Sequence, residues 1–254
     1  SKARVKHGNP APPQSPPLTD PAAARDNTPM RRAIVTGGSG LIGRAICARL
    51  AHEGWEVANL DLRAADGPAR HVPCDIADEA SVATAFDVLR WDSLDLVVNN
   101  AGQTGALNLD PATATLDDWR GMIDSHLTGA FLVMRAALPL FRAGGSAVMM
   151  ASTRAFMSEG GDFAYATAKG GLVSLTRALA IRLGPHLRVN AIAPGWIDDD
   201  PALSAEDHAQ HPVGRVGRPE DIAEAVLYLS AAAFVTGEVL TVDGGMTRKM
   251  VYLD

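Results

Sequence analysis

From Arg32 onward the chain alternates short runs of apolar, often β-branched residues with longer stretches whose apolar positions recur every three or four residues. Switching between a period of 2 and a period of 3.6 is the signature of repeated βαβ units around a parallel sheet. The pattern predicts seven strands: RAIVT (32–36), EVANLD (56–61), RHVPC (70–74), LDLVVNN (94–100), SAVMMAS (146–152), RVNAIA (188–193) and EVLTVD (238–243). Helices are predicted over 41–53, 78–90, 116–143, 163–183 and 219–231. Thr115 and Asp118 form a capping pair, and Pro219 suits a first helical turn. The fold class expected is α/β, a doubly wound, seven-stranded parallel sheet with helices on both faces in a single Rossmann-type domain.

Residues 1–29 differ in kind. They hold seven of the 16 prolines, no aromatic residue and a net charge of +2, a composition unable to bury a core. An extended or disordered tail or leader is expected there, with the folded domain over 30–254. The 254 residues are 47% hydrophobic, enough for one α/β domain with a large core. A net charge of −6 opposes a phosphate-backbone binder, so no nucleic-acid partner is expected. No run of about 18 apolar residues occurs, so no membrane partner is expected either. Two cysteines, Cys47 and Cys74, are too few for a disulfide framework or a zinc cluster and suit a reducing cytoplasm.

Chemistry enters where strand 32–36 runs into TGGSGLIG and then a helix. Gly37, Gly40 and Gly43 permit a tight turn and let the N–H groups at the helix start approach a pyrophosphate. A glycine triplet alone is weak, but this one follows a strand, opens a helix and is answered 18 residues past Gly43 by Asp61 at the end of the next strand. The Asp61 carboxylate accepts hydrogen bonds from a ribose diol and repels a 2′-phosphate. NAD is therefore expected over NADP, with Arg63 as the opposing feature.

A second cluster lies in FAYATAKGG, where Tyr165 and Lys169 stand four residues apart and share one helix face. A neighbouring ammonium favours the phenolate. Lowering a tyrosine from a pKa near 10 to about 7–8 takes roughly 3–4 kcal/mol, and the pair then forms a general acid/base at neutral pH. Ser152, 13 residues earlier, ends a strand on the carboxyl edge of the sheet, where α/β ligands bind.

These features, with CDI (74–76), NNAG (99–102), RVNAIAPG (188–195), GRPEDIA (217–223) and the terminal VDGG, make the chain resemble the short-chain dehydrogenase/reductase family over residues 31–247. It is most similar to a bacterial subgroup of general oxidoreductases. The resemblance implies an NAD-dependent enzyme that passes a hydride between nicotinamide and a small secondary alcohol or ketone, with polyols and sugars among the candidates. Tyr165 would exchange the substrate proton, Lys169 would bind the nicotinamide ribose and depress the tyrosine pKa, and Ser152 would orient the substrate oxygen. Ser39, Leu41 and Ile42 join Gly37, Gly40 and Gly43 in the loop that holds the cofactor. Asp75 and Ile76 would lie along adenine, Asn99, Ala101 and Gly102 along the ribose, and Pro194, Gly195 and Ile197 against the nicotinamide.

Three positions depart from the family. Leu41 stands where a small residue is commoner. Asp198, Asp199 and Asp200 follow PGWI where a cofactor-contacting threonine is usual. His126 occupies the position of the family's fourth catalytic residue, an asparagine that holds a water linking the lysine to solvent. A neutral imidazole donates and accepts at once, so His126 is a candidate for that relay, with activity falling below about pH 6.5 as it protonates. The alternative is a histidine that only packs.

His208 and His211 are three apart but lack further matched ligands, and no metal is expected. Arg154 is a candidate for an anionic substrate group, or a solvated loop residue. A homotetramer is expected through helices 116–143 and 163–183, whose Ala136, Ala137, Ala178 and Ala180 give apolar surface. The rival function is a catalytically weak NAD-binding redox sensor or scaffold, against which the intact Ser152, Tyr165 and Lys169 argue. Segments 103–109, 153–162 and 196–212 are expected to line the substrate site.

Overall fold

The computed structural model describes residues 30–103 and 108–250, so the expectation for 1–29 lies outside the described residues. Seven strands form one parallel sheet in the order β3-β2-β1-β4-β5-β6-β7. They are β1 (Arg32–Thr36), β2 (Glu56–Asp61), β3 (Arg70–Pro73), β4 (Leu94–Asn99), β5 (Phe141–Met150), β6 (Leu187–Pro194) and β7 (Val239–Val242). The order reverses between β1 and β4, which opens a crevice at the carboxyl ends of those strands.

Side chains of the central strands alternate between two cores, as the period of 2 requires. Ile34, Val97, Ala147 and Met149 pack with α2 (Glu79–Leu89), α4 (Gly129–Ala137) and α5 (Phe163–Leu183). Ala33, Val35, Leu96 and Val98 pack on the other face with α1 (Leu41–His52) and α7 (Pro219–Ala231). The two predicted helix starts form, and Asp78 adds a cap not expected from the sequence. Thr115 and Asp118 make a reciprocal capping box at α3 (Leu116–Ile123), Asp78 accepts from two N–H groups at α2, and Pro219 opens α7.

The expected helix 116–143 is corrected. It is interrupted by a π turn, Asp124–Thr128, resumes as α4, and gives way at Leu138–Leu140 to a 3₁₀ turn before β5 begins at Phe141. Pro139 lacks the N–H needed to continue the helix, and the apolar run beyond it belongs to the sheet. A short helix not expected from the sequence, α6 (Ala205–Ala209), starts at a capping box of Ser204 and Asp207.

Candidate active site

Two cavities meet over the carboxyl edge of the sheet. The first, of about 890 Å³, runs from the glycine loop past Asp61 to Tyr165 and Lys169. The second, of about 1310 Å³, continues from Ser152 and Tyr165 toward Trp196 and Met246. The first falls within the size range of ligand-binding clefts, and the second is larger.

The first cavity is shaped by backbone. Gly40 caps α1 without a side-chain hydrogen bond, so the first N–H groups of the helix face outward with no side-chain acceptor. Gly37 has a φ of +65°, and a Cβ at Gly43 would lie 2.1 Å from the Gly37 carbonyl oxygen. Any side chain at Gly43 would push the two halves of the turn apart. At the far end Asp61 accepts from the Ser39 N–H through Oδ2 and from the Arg63 N–H through Oδ1, both at 3.0 Å. Its carboxylate is held facing the cavity by backbone donors.

The structure brings nearly every expected residue to this cavity. Leu41 and Ile42 line it beside the three glycines, Asp75 and Ile76 form the next wall, and Ala101, Gly102, Pro194, Gly195 and Ile197 close it near Tyr165. Ser39 and Asn99 do not line it. Ser39 instead ties the loop together: its Oγ donates to the Arg63 carbonyl at 2.5 Å and accepts from Asn59 Nδ2 at 2.9 Å. Asn99 points into the sheet, with Nδ2 at 3.3 Å from Met149 Sδ. Its neighbour Asn100, given no role by sequence, lines the cavity and donates through Nδ2 to the Thr36 and Gly37 carbonyls at 3.1 Å each.

Ser152, Tyr165, Lys169 and His126 come together as expected, but their charges do not. The Ser152 hydroxyl accepts from the Arg154 N–H at 3.2 Å and lines both cavities together with Tyr165. Burial pushes the phenol above its ordinary value, and Asp162 adds to this, while Ser152 and Arg154 oppose it. Lys169 is buried, its Nζ 2.7 Å from the Met150 carbonyl and 5.3 Å from the centre of the Tyr165 ring, and burial lowers its pKa to about 7. The expected depression of the tyrosine pKa by a firm lysine cation is therefore corrected. Desolvation is the largest cause of the shift in both groups.

His126 is 4% exposed, in the middle of the π turn. Its Nε2 donates to the Gln103 carbonyl at 2.9 Å, while the preceding Ser125 Oγ accepts from the Gln103 N–H at 3.4 Å. Two adjacent residues thus clamp both sides of residue 103, and the imidazole lies against Gly102, where a Cβ would come within 1.9 Å of it. The ring meets Tyr165 edge to face at 5.2 Å. Burial, then the charge of Lys169, push the imidazole pKa down to about 3, against a smaller opposite effect of the Gln103 carbonyl. The loss of activity expected near pH 6.5 from its protonation is corrected accordingly. Nδ1 has no partner among the described residues.

Asp198 does not reach for a ligand. It accepts from the N–H groups of Asp199 and Asp200 at 2.9 and 3.1 Å and from Trp196 Nε1 at 3.3 Å, closing its own turn. His208 Nδ1 accepts from the Val216 N–H at 3.1 Å, which uses the ring in holding the segment before α7. The second cavity takes residues from segments 108–111, 152–162, 195–197 and 210, and Met246 from the chain end, a contributor that no local pattern announces.

The family model described as enoyl-(acyl carrier protein) reductase matches residues 38–247. An uncharacterized oxidoreductase of Thermotoga maritima is 38% identical over 250 residues, covering 87% of this chain and 97% of its own. The cis-4-hydroxycyclohexanecarboxylate dehydrogenase of Sinomonas cyclohexanicum is 37% identical over 245 residues, covering 85% of this chain and 96% of its own. Among solved structures, the ligand-free aldohexose dehydrogenase of Thermoplasma acidophilum matches with a TM-score of 0.83 at 30% identity, over 89% of this chain and 97% of that one. The chain belongs to the short-chain dehydrogenase/reductase family, whose members are oxidoreductases that use a nicotinamide cofactor. The glycine cradle, which a Cβ would fill, and the inward-facing Asp61 fit such a group.

Proposed function

We propose that this protein is an NAD-dependent dehydrogenase or ketone reductase acting on a small secondary alcohol or ketone, a polyol or sugar being the favoured class. One observation carries the reading: Ser152 and Tyr165 stand where the two cavities join, with Lys169 buried behind them. When bound, the nicotinamide supplies the hydride acceptor or donor.

The chain's own residues supply the proton and the positions. Ser152 Oγ donates to the substrate oxygen, and Tyr165 gives it a proton in reduction or takes one in oxidation. Because burial keeps the phenol protonated at neutral pH, it stands ready as the acid for reduction. Oxidation needs the phenolate, which rising pH favours. Lys169, fixed by the Met150 carbonyl, holds the ribose, and Asp61 receives the adenosine ribose hydroxyls. His126 acts as a positioning residue, with Ser125, on the Gly102–Gln103 wall, and its open Nδ1 is the acceptor for a proton relay.

We take 30–254 as the catalytic domain. Two buried free thiols, Cys47 and Cys74, suit a cytoplasmic setting. A homotetramer through α3 to α5 is supported by Leu116, Phe131 and Ile181, which are 58%, 46% and 86% exposed. Of the alanines expected to form that surface, Ala137 and Ala180 face the chain's own core. No described helix is long and apolar enough to cross a membrane.

The test is a panel of secondary alcohols, polyols and sugars scored by NADH formation. Turnover of at least one with NAD supports the reading. NAD binding without turnover of any substrate would favour the sensor.

A further inference from the structure

The second cavity is ringed by acids. Among the described residues that line it, Asp110, Glu159 and Asp162 face a single cation, Arg154. That cation is already engaged on both terminal nitrogens: Nη1 lies 2.7 Å from Asp162 Oδ2, and Nη2 pairs with Glu159. Asp162 is 6% exposed at its side chain, and its Oδ1 has no partner among the described residues. Although it precedes α5, its side chain makes no cap hydrogen bond, so Arg154 is its charge partner.

We propose that this chamber selects for an uncharged, hydroxyl-bearing alcohol or ketone and rejects one that carries a carboxylate. The inference rests on the oxidoreductase reading above and names its substrate class. Arg154 is a clamp on the chamber wall and not a receptor for anions. A substrate carboxylate would have to compete with Asp162 and Glu159 for the guanidinium, and displacing Asp162 would leave a buried carboxylate without its partner. Away from Arg154 it would meet the field of the remaining acids, in a cleft where one sign of charge dominates. A neutral hydroxyl meets neither obstacle. It can donate to carboxylates that are already in place.

The test compares two ligands of similar shape, cis-4-(hydroxymethyl)cyclohexanol and cis-4-hydroxycyclohexanecarboxylate, with the full chain and NAD. The neutral diol should show a kcat/KM at least about tenfold higher, as expected when one ligand must break a buried ion pair. Glu159→Gln, at an exposed position, and the double variant Glu159→Gln with Asp162→Asn should shift the ratio stepwise toward the carboxylate. Arg154→Met should not remove carboxylate turnover selectively. Equal or better use of the carboxylate by the wild-type chain, or its selective loss in Arg154→Met, would overturn the proposal. If neither compound yields NADH, the oxidoreductase reading is what suffers, and charge selection is still decided by binding. Trp196 lines the chamber, so its fluorescence reports titration of the NAD-loaded chain. Tighter binding of the diol supports the proposal; binding of the carboxylate at least as tightly, or of neither, overturns it.

Discussion

Replacing Lys169 by Met should stabilise the fold at neutral pH while removing activity. Burial lowers the lysine pKa from 10.5 to about 7, which corresponds to about 5 kcal/mol of differential interaction between its two protonation states. Because the folded-state value is depressed, the unfolded chain holds one more proton between pH 7 and 10.5. Stability from this group therefore rises with pH across that window, and the penalty is complete below it. Met has no charge to desolvate, but it leaves the Met150 carbonyl without its donor, at a cost of about 1–3 kcal/mol. The net expectation is a variant about 2–4 kcal/mol more stable at pH 7, an advantage that reverses as pH approaches 10. Urea unfolding of both proteins at pH steps from 7 to 10 measures it. The difference between them should change by about 1.4 kcal/mol per pH unit. A flat difference across the window would refute the depressed lysine, and with it the account of how burial sets the charges of the site.

Other substitutions test the remaining parts of the site. Tyr165→Phe should lower kcat by about 10²–10⁴ with NAD affinity nearly unchanged, as steady-state kinetics and cofactor titration will report. The wild-type chain should bind NAD at least about tenfold more tightly than NADP, and Asp61→Ala should erase the difference in a calorimetric titration. Gly43→Ala should abolish cofactor binding, because the new Cβ would collide with backbone and not with a movable side chain. His126→Asn should keep kcat within about tenfold and His126→Leu should lose about 10², the clamp on Gln103 going with the donor. Wild type and His126→Asn should share one pH profile between 5 and 8, since the buried imidazole stays neutral down to about pH 3.

What could be read from sequence was whatever the backbone itself demands. The glycine spacing, Asp61 at a strand end and the four-residue step from Tyr165 to Lys169 are local, and all three reach the first cavity. Asn99 and Asn100 show the limit of that reading. Asn99 ends β4 and is buried against Met149, while Asn100, the first residue past the strand, faces the cavity, so attention one residue off exchanges one for the other. The break in the helix beginning at Leu116 left no trace, because a π turn needs no special residue and the apolar period runs through it. Charge states were beyond sequence as well. A lysine one turn from a tyrosine reads as a cation, and only the packing around it reveals how far water has been removed. The second cavity gathers Asn108, Arg154, Gln210 and Met246 from four distant segments, which no window along the chain connects.

The π turn at Asp124–Thr128 amounts to one residue more than a regular helix would need. Deleting a single residue there would let α3 and α4 fuse into an uninterrupted α-helix. The flanking packing of Met122, Leu132 and Val133 would then be retained with little change. The phase change of about 100° would be taken up within the turn, however, and would shift Ser125 and His126 away from the peptide of Gln103. The chain thus has within reach, at one codon, a protein that folds on the same cores yet holds its cofactor wall from neither side. Insertions and deletions, ordinarily the province of loops, would here act as a switch of activity in the interior of a helix.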